Sequence, residues 1–191
     1  MSEWDFLWDL EGQALIDAMG SGGTALDWLY IAEIERKDYG FNDNDYSNEP
    51  SLKKKNTMVF IDAENIPSTF ATSIDKEIHT IGNVDEVRYY AMQKDPSTYG
   101  WKSSIKEYGY KQVLMAGERK KNKIDNKIIR DAKKILNNNK NIDIFVIASR
   151  DGDYTELVNF LRDNKKKVVI IAPKDTSKKL INASSEYRSI K

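Results

Sequence analysis

The 191-residue chain is 40% hydrophobic and balances 30 Lys plus Arg against 30 Asp plus Glu, which allows one ordinary core with room for a small appendage. It has no cysteine and one histidine, His79, so disulfides, cysteine-ligated zinc and a histidine-built metal cage are excluded, and a bound metal would be held by oxygen. No basic leader and no run of about 18 apolar residues occurs, so a soluble cytoplasmic protein is the expectation.

The balanced total hides an uneven distribution. Residues 1–50 hold 12 acidic and 2 basic side chains, while residues 51–191 hold 18 and 28, so about −10 faces about +10 and the two parts should attract. In residues 1–38, Trp4, Leu7, Trp8 and Ala14, Leu15, Ala18 recur at near-helical spacing, and TALDWLYIAEIERK follows the turn signal Gly20-Ser21-Gly22-Gly23. The segment reads as an acidic helical hairpin. Its Trp4, Trp8 and Trp28 exceed what so small a unit can bury alone. Two readings stay open: docking onto the main domain or a protein partner, or an acidic lid mimicking nucleic acid. Residues 39–56, polar and without periodicity, read as a linker, and residues 57–191 as the main domain.

From Thr57 onward short apolar runs alternate with longer amphipathic ones, the pattern of repeated strand-helix units. Strands are predicted at TMVFID, VDEVRYYAM, YKQVLMA, IDIFVIAS and KVVIIAP. Between them fall helices at STFATSIDKEIHTIG, STYGWKSSIKEYG, KIDNKIIRDAKKILNNN and DYTELVNFLRDNK, with a last short helix near SKKLINASSEY. MVFI and IFVIA are apolar without alternation, as central strands of a sheet covered on both faces require. The expected fold is therefore α/β, with a central parallel sheet in the order 3-2-1-4-5. In such a sheet ligands bind beyond the carboxyl ends of the strands where the winding reverses, between strands 1 and 4.

That crevice receives Asp62 and Glu64 from FIDAEN, Asp151 and Asp153 from SRDGDY, and Asp125 at the start of the third long helix. Converging carboxylates repel one another and stay ionised together when a cation is supplied. Hard oxygen donors suit Mg²⁺ or Mn²⁺, so a divalent-metal site acting on a phosphodiester is the first expectation. The spacing of Asp153 to Glu156 also suits a helix N-cap with its reciprocal partner. Asp131 lies six residues beyond Asp125 and cannot share its helical face, so it reads as an ion-pair partner.

The phrases VFIDAEN, KIDNKIIRDA, SRDGDYTELV and KVVIIAPKDTSKKL, in this order, resemble the NYN domains of the PIN-like nuclease superfamily, including its LabA-like branch. The resemblance implies a three-layer α/β fold and a metal-dependent ribonuclease with an acidic Mg²⁺ or Mn²⁺ site. It implies metal and catalytic roles for Asp62, Asp125, Asp151 and Asp153, with Asn65 beside the first and Asp131 as a second helix acid. Arg150 stands where the family commonly has glycine, and Ser185 where a late Asp is common.

Beside the acids, GERKKNK supplies Arg119, Lys120, Lys121 and Lys123 to the same rim, and these cations, with Asn65 and Arg150, are candidates for holding the RNA backbone. NKKKVV enters from the opposite rim and reads as a solvated surface. The aromatics of STYGWKSSIKEYGYK could stack on unpaired bases, though the buried face of a helix is the favoured reading. The expected function is an endoribonuclease. The alternatives are a catalytically inactive RNA-binding or scaffold module, or a metal-dependent phosphatase or DNA nuclease.

Overall fold

The computed structural model describes residues 55–118 and 122–191. The expected hairpin at 1–38 and nearly all of the linker lie outside the described residues, as do Arg119, Lys120 and Lys121.

Six strands, β1 (Asn56–Asp62), β2 (Asn83–Met92), β3 (Lys111–Met115), β4 (Ile142–Ala148), β5 (Lys167–Ala172) and β6 (Glu186–Ser189), form one sheet in the order β3-β2-β1-β4-β5-β6. All neighbouring pairs are parallel. Connections run through α1 (Ala71–Ile81), α2 (Lys102–Tyr108), α3 (Lys123–Asn138), α4 (Thr155–Asp163) and α5 (Lys178–Ala183). The five predicted strands hold their expected order, and the winding reverses between β1 and β4.

Every residue of β1 from Thr57 to Asp62 is buried, as are Ile144 to Ala148 of β4. Helices therefore cover both faces of these strands, which explains their unbroken apolar runs. Helix α3 buries Ile124, Ile128, Ala132 and Leu136, a stripe at intervals of four. Asp131 falls beside that stripe and is 8% exposed, while Asp125, six positions earlier, is only partly buried at the helix start. The two acids thus look in different directions.

The sixth strand corrects the expectation that the chain ends in a helix. Helix α5 stops at Ala183, Ser184 turns extended, and the Ser185 N–H donates to the Val168 carbonyl at 2.9 Å, starting the pairing of EYRS with β5. Four residues at a sheet edge, of which only Tyr187 packs on the core, carry no apolar run, so periodicity had nothing to register. In the aromatic segment, Trp101 is fully buried and donates from Nε1 to the Ile66 carbonyl, and Tyr110 donates to Asp75. Of the segment's aromatics Tyr99, Trp101, Tyr108 and Tyr110, Tyr99 alone is an exposed large hydrophobic, with the Lys102 ammonium 4.5 Å from its ring centre.

Candidate active site

The end of β1 makes a tight turn in which the Asp62 carbonyl accepts from the N–H groups of Asn65 and Ile66, leaving its carboxylate facing inward. That carboxylate is fully buried. Its Oδ1 accepts the Glu64 N–H at 3.2 Å. Its Oδ2 accepts from Asn65 Nδ2 at 2.7 Å, Ser149 Oγ at 3.2 Å and the Tyr154 hydroxyl at 3.0 Å. Burial pushes the Asp62 carboxyl up to about 6, the Asp125 charge adds to the rise, and the Asn65, Tyr154 and Ser149 donors oppose it.

The neighbouring strand β4 delivers Ser149 and then Asp151, which caps the short 3-10 turn Gly152–Tyr154 by accepting the Asp153 N–H on Oδ1 at 2.9 Å. The N-cap expected at Asp153 is therefore made by Asp151. Asp153 sits inside the first turn with an exposed carboxylate, 3.5 Å from Asn122 Nδ2. The turn needs its glycine for space: a Cβ on Gly152 would stand 2.8 Å from Ser177 Oγ. The loop carrying Ser177 is fastened to this turn by the Ser177 N–H on the Arg150 carbonyl and by the Arg150–Asp175 ion pair at 2.6 Å.

From the third direction comes Asp125, in the first turn of α3. Its Oδ1 lies 2.9 Å from the Tyr154 hydroxyl, so one phenol oxygen touches the carboxylates of both Asp62 and Asp125 and gives its single proton to one of them at a time. Burial raises the Asp125 carboxyl above its ordinary range, and the charges of Asp151 and Asp153 raise it further, against the Tyr154 donor. The four predicted acids thus gather at one end of the sheet, each within electrostatic reach of at least one other.

The remaining candidates divide. The Asn65 amide is committed to Asp62, and the Lys123 ammonium donates to the Ala116 and Glu118 carbonyls at 2.7 and 3.0 Å, fastening its own loop. The half-exposed Arg150 side chain is paired with Asp175. Asp131 lies apart from the other acids, receiving the Tyr90 hydroxyl at 2.9 Å and the Lys127 ammonium at 2.6 Å. Two site residues escaped the sequence reading. Ser149 and Tyr154 look like core positions in FVIASRDGDY, and only the polar tip of a tyrosine where phenylalanine would fill the same space hints at its role.

The NYN domain family matches residues 56–191. The chain belongs to the NYN family. NYN domains fall within the PIN-like superfamily and are generally nucleases, and PIN-like nucleases typically use divalent metals. No curated protein matches the chain in sequence. Among solved structures, a protein of unknown function, VPA0982 from Vibrio parahaemolyticus RIMD 2210633, has 21% identity and a TM-score of 0.63, over 74% of this chain and 96% of that one. It shares the fold of this NYN domain. A Parabacteroides merdae ATCC 43184 structure, at 11% identity and TM-score 0.40 over 71% of this chain and 32% of its own, carries no argument.

The donor set of this NYN site consists of hard carboxylate oxygens, the kind that Mg²⁺ and Mn²⁺ take. Among the described residues no group of three or more His, Cys, Asp or Glu side chains stands close enough to enclose a metal ion. Mg²⁺ asks for less, commonly one or two carboxylates with water and substrate phosphate completing the shell. Asp62, enclosed by four donors, is the acid least free to offer an oxygen. Asp125, Asp151 and Asp153 all keep some exposure, and their mutual repulsion fits a cation.

Proposed function

We propose that the chain is a Mg²⁺- or Mn²⁺-dependent ribonuclease that hydrolyses RNA phosphodiester bonds endonucleolytically. The observation that carries this reading is the meeting of Asp62 and Asp125, from separate stretches of an NYN domain, on one tyrosine hydroxyl, with Asp151 and Asp153 within electrostatic reach of Asp125. One or two of Asp125, Asp151 and Asp153 are assigned to hold the cation, with water and substrate phosphate completing its shell. Asp62 stands behind them, fixed by Asn65 and Ser149. The bound cation would supply charge compensation at the phosphate and activation of the attacking water. Arg119, Lys120 and Lys121 are assigned to the RNA backbone, joined by Arg150 and Lys123 where phosphate replaces their Asp175 and carbonyl partners.

A second reading, a catalytically inactive RNA-binding or scaffold module, is favoured by the enclosure of Asp62 and by the lack of a ready three-acid cage among the described residues. One set of incubations separates them. Labelled RNA, DNA and a phosphomonoester are each given Mn²⁺, Mg²⁺ or EDTA, with wild type, Asp62→Asn and Asp151→Asn. RNA cleavage that needs the cation and both acids is expected. Cleavage indifferent to EDTA and to both substitutions would defeat the metal mechanism, and RNA affinity without cleavage would favour the binding module.

A further inference from the structure

Tyr154 is wholly buried, and a phenylalanine at this position would fill the same space without a polar atom to satisfy. Its hydroxyl instead spans two carboxylates, at 3.0 Å from Asp62 Oδ2 and 2.9 Å from Asp125 Oδ1. These partners lie 92 and 29 residues away in sequence, so the contact joins the end of β1, the start of α3 and the turn after β4. The two ends of the bridge differ in freedom. Asp62 is held independently by Asn65, Ser149 and the Glu64 N–H, whereas the Asp125 carboxylate has, besides Tyr154, only its own backbone N–H among the described residues.

We infer that Tyr154 is a positioning residue, whose hydroxyl uses the fixed Asp62 carboxylate as an anchor to hold Asp125 in one orientation at the rim. This deepens the nuclease reading and, in its consequence for the cation, rests on it. The phenol lies between the two carboxyl groups: its one proton goes to one of them, and the other is held through the phenol oxygen when it carries a proton itself, whereas two unbridged anionic oxygens would separate. With Asp125 held, its carboxylate stays within electrostatic reach of Asp151 and Asp153. Without the hydroxyl, the partly exposed Asp125 side chain is released toward solvent, while Asp62 keeps its remaining donors. Tyr154 touches no substrate in this arrangement and acts through the two acids.

The test uses the full chain and Tyr154→Phe, which keeps the ring and removes the oxygen. Mn²⁺ binding, read from the free-ion electron paramagnetic resonance signal, is expected to weaken by roughly 10- to 100-fold, the range found when a group orienting a metal ligand is removed. A purely structural role would leave that affinity alone once the fold is shown to be intact by circular dichroism. Independently of any metal, urea unfolding in EDTA of Tyr154→Phe, Asp125→Ala and the double variant should be non-additive. Wild-type Mn²⁺ affinity in Tyr154→Phe, or additive unfolding effects, overturns the inference. If wild type itself binds no Mn²⁺ but the unfolding effects are non-additive, the metal-nuclease reading fails and the tyrosine bridge stands.

Discussion

Asp62 and Asp131 are both buried carboxylates that accept a tyrosine hydroxyl, and their remaining partners are opposite in kind. Asp131 on α3 has the Lys127 ammonium at 2.6 Å and the Arg88 guanidinium at 3.7 Å, so its charge is matched on the spot. Asp62 receives only neutral donors, from Glu64, Asn65, Ser149 and Tyr154, with the Asp125 charge nearby. A matched buried ion contributes to holding the domain together, because removing one partner strands the other. The Asp62 charge has no such match and is held against its own desolvation, a cost tolerated where chemistry needs the group. On the proposed function, the contrast separates an acid that serves the fold from one that serves a site.

The sharpest way to break this comparison is to remove each acid and read both activity and stability. Asp62→Asn is expected to lower RNA cleavage by about 10- to 100-fold, the scale of losing a group that orients a metal ligand. Asp131→Ala is expected to leave cleavage within a few-fold when measured well below its unfolding temperature. In urea unfolding with EDTA it should cost about 1–3 kcal/mol, by leaving the Tyr90 hydroxyl and the Lys127 ammonium without their acceptor while Arg88 keeps Glu86. Equal losses of cleavage in the two variants would show that the acids do not differ in role.

A pH series sharpens the same contrast without mutating Asp131. The Asp62 carboxyl moves from 3.8 to about 6 on folding. A raised carboxyl binds its proton more tightly in the folded state, so its contribution is fully present below about pH 3.8 and is lost as pH rises through about 6. In EDTA the domain should therefore lose stability between about pH 4 and 7, by no more than about 3 kcal/mol. Asp62→Asn should flatten that slope whatever it does to the absolute level. A slope that survives the substitution would assign it to another group, with Asp125, also raised by burial, the first to examine.

Legibility followed how each feature stores its information. Strands β1 and β4 were readable because burial on both faces demands unbroken apolar runs, and with right-handed crossovers their adjacency and the crevice beyond Asp62 and Asp151 followed. Strand β6 was not, since Glu186–Ser189 pairs through its backbone at a sheet edge and its side chains hardly signal that. The acids were readable as a set, but the cap was assigned two residues late: an α-helix starting directly at the acids would put it at Asp153, and the intervening 3-10 turn moves it to Asp151. Tyr154 was hidden for a different reason. Its ring obeys the core pattern, and the chemistry resides in one oxygen whose partners come from elsewhere in the chain.

The smallest expected effect concerns the turn that carries the rim acids and has no counterpart around Asp131. Gly152 lies between Asp151 and Asp153, and a methyl group there would meet Ser177 Oγ at 2.8 Å and Ser177 Cβ at 3.4 Å. Only the first contact is a clash. Gly152→Ala should thus cost about 1 kcal/mol in urea unfolding, since overpacking typically costs 1–3 kcal/mol and alanine returns part of it by restricting the unfolded chain. Ser177→Ala removes the clashing oxygen and keeps the tolerable Cβ contact, and the Ser177 N–H on the Arg150 carbonyl is a backbone bond that survives. On the Ser177→Ala background the sign should reverse, with Gly152→Ala stabilising by a few tenths of a kcal/mol. If Gly152→Ala costs the same on both backgrounds, the glycine is required for backbone conformation rather than for space, and the close approach of the two loops does not set the position of Asp151 and Asp153.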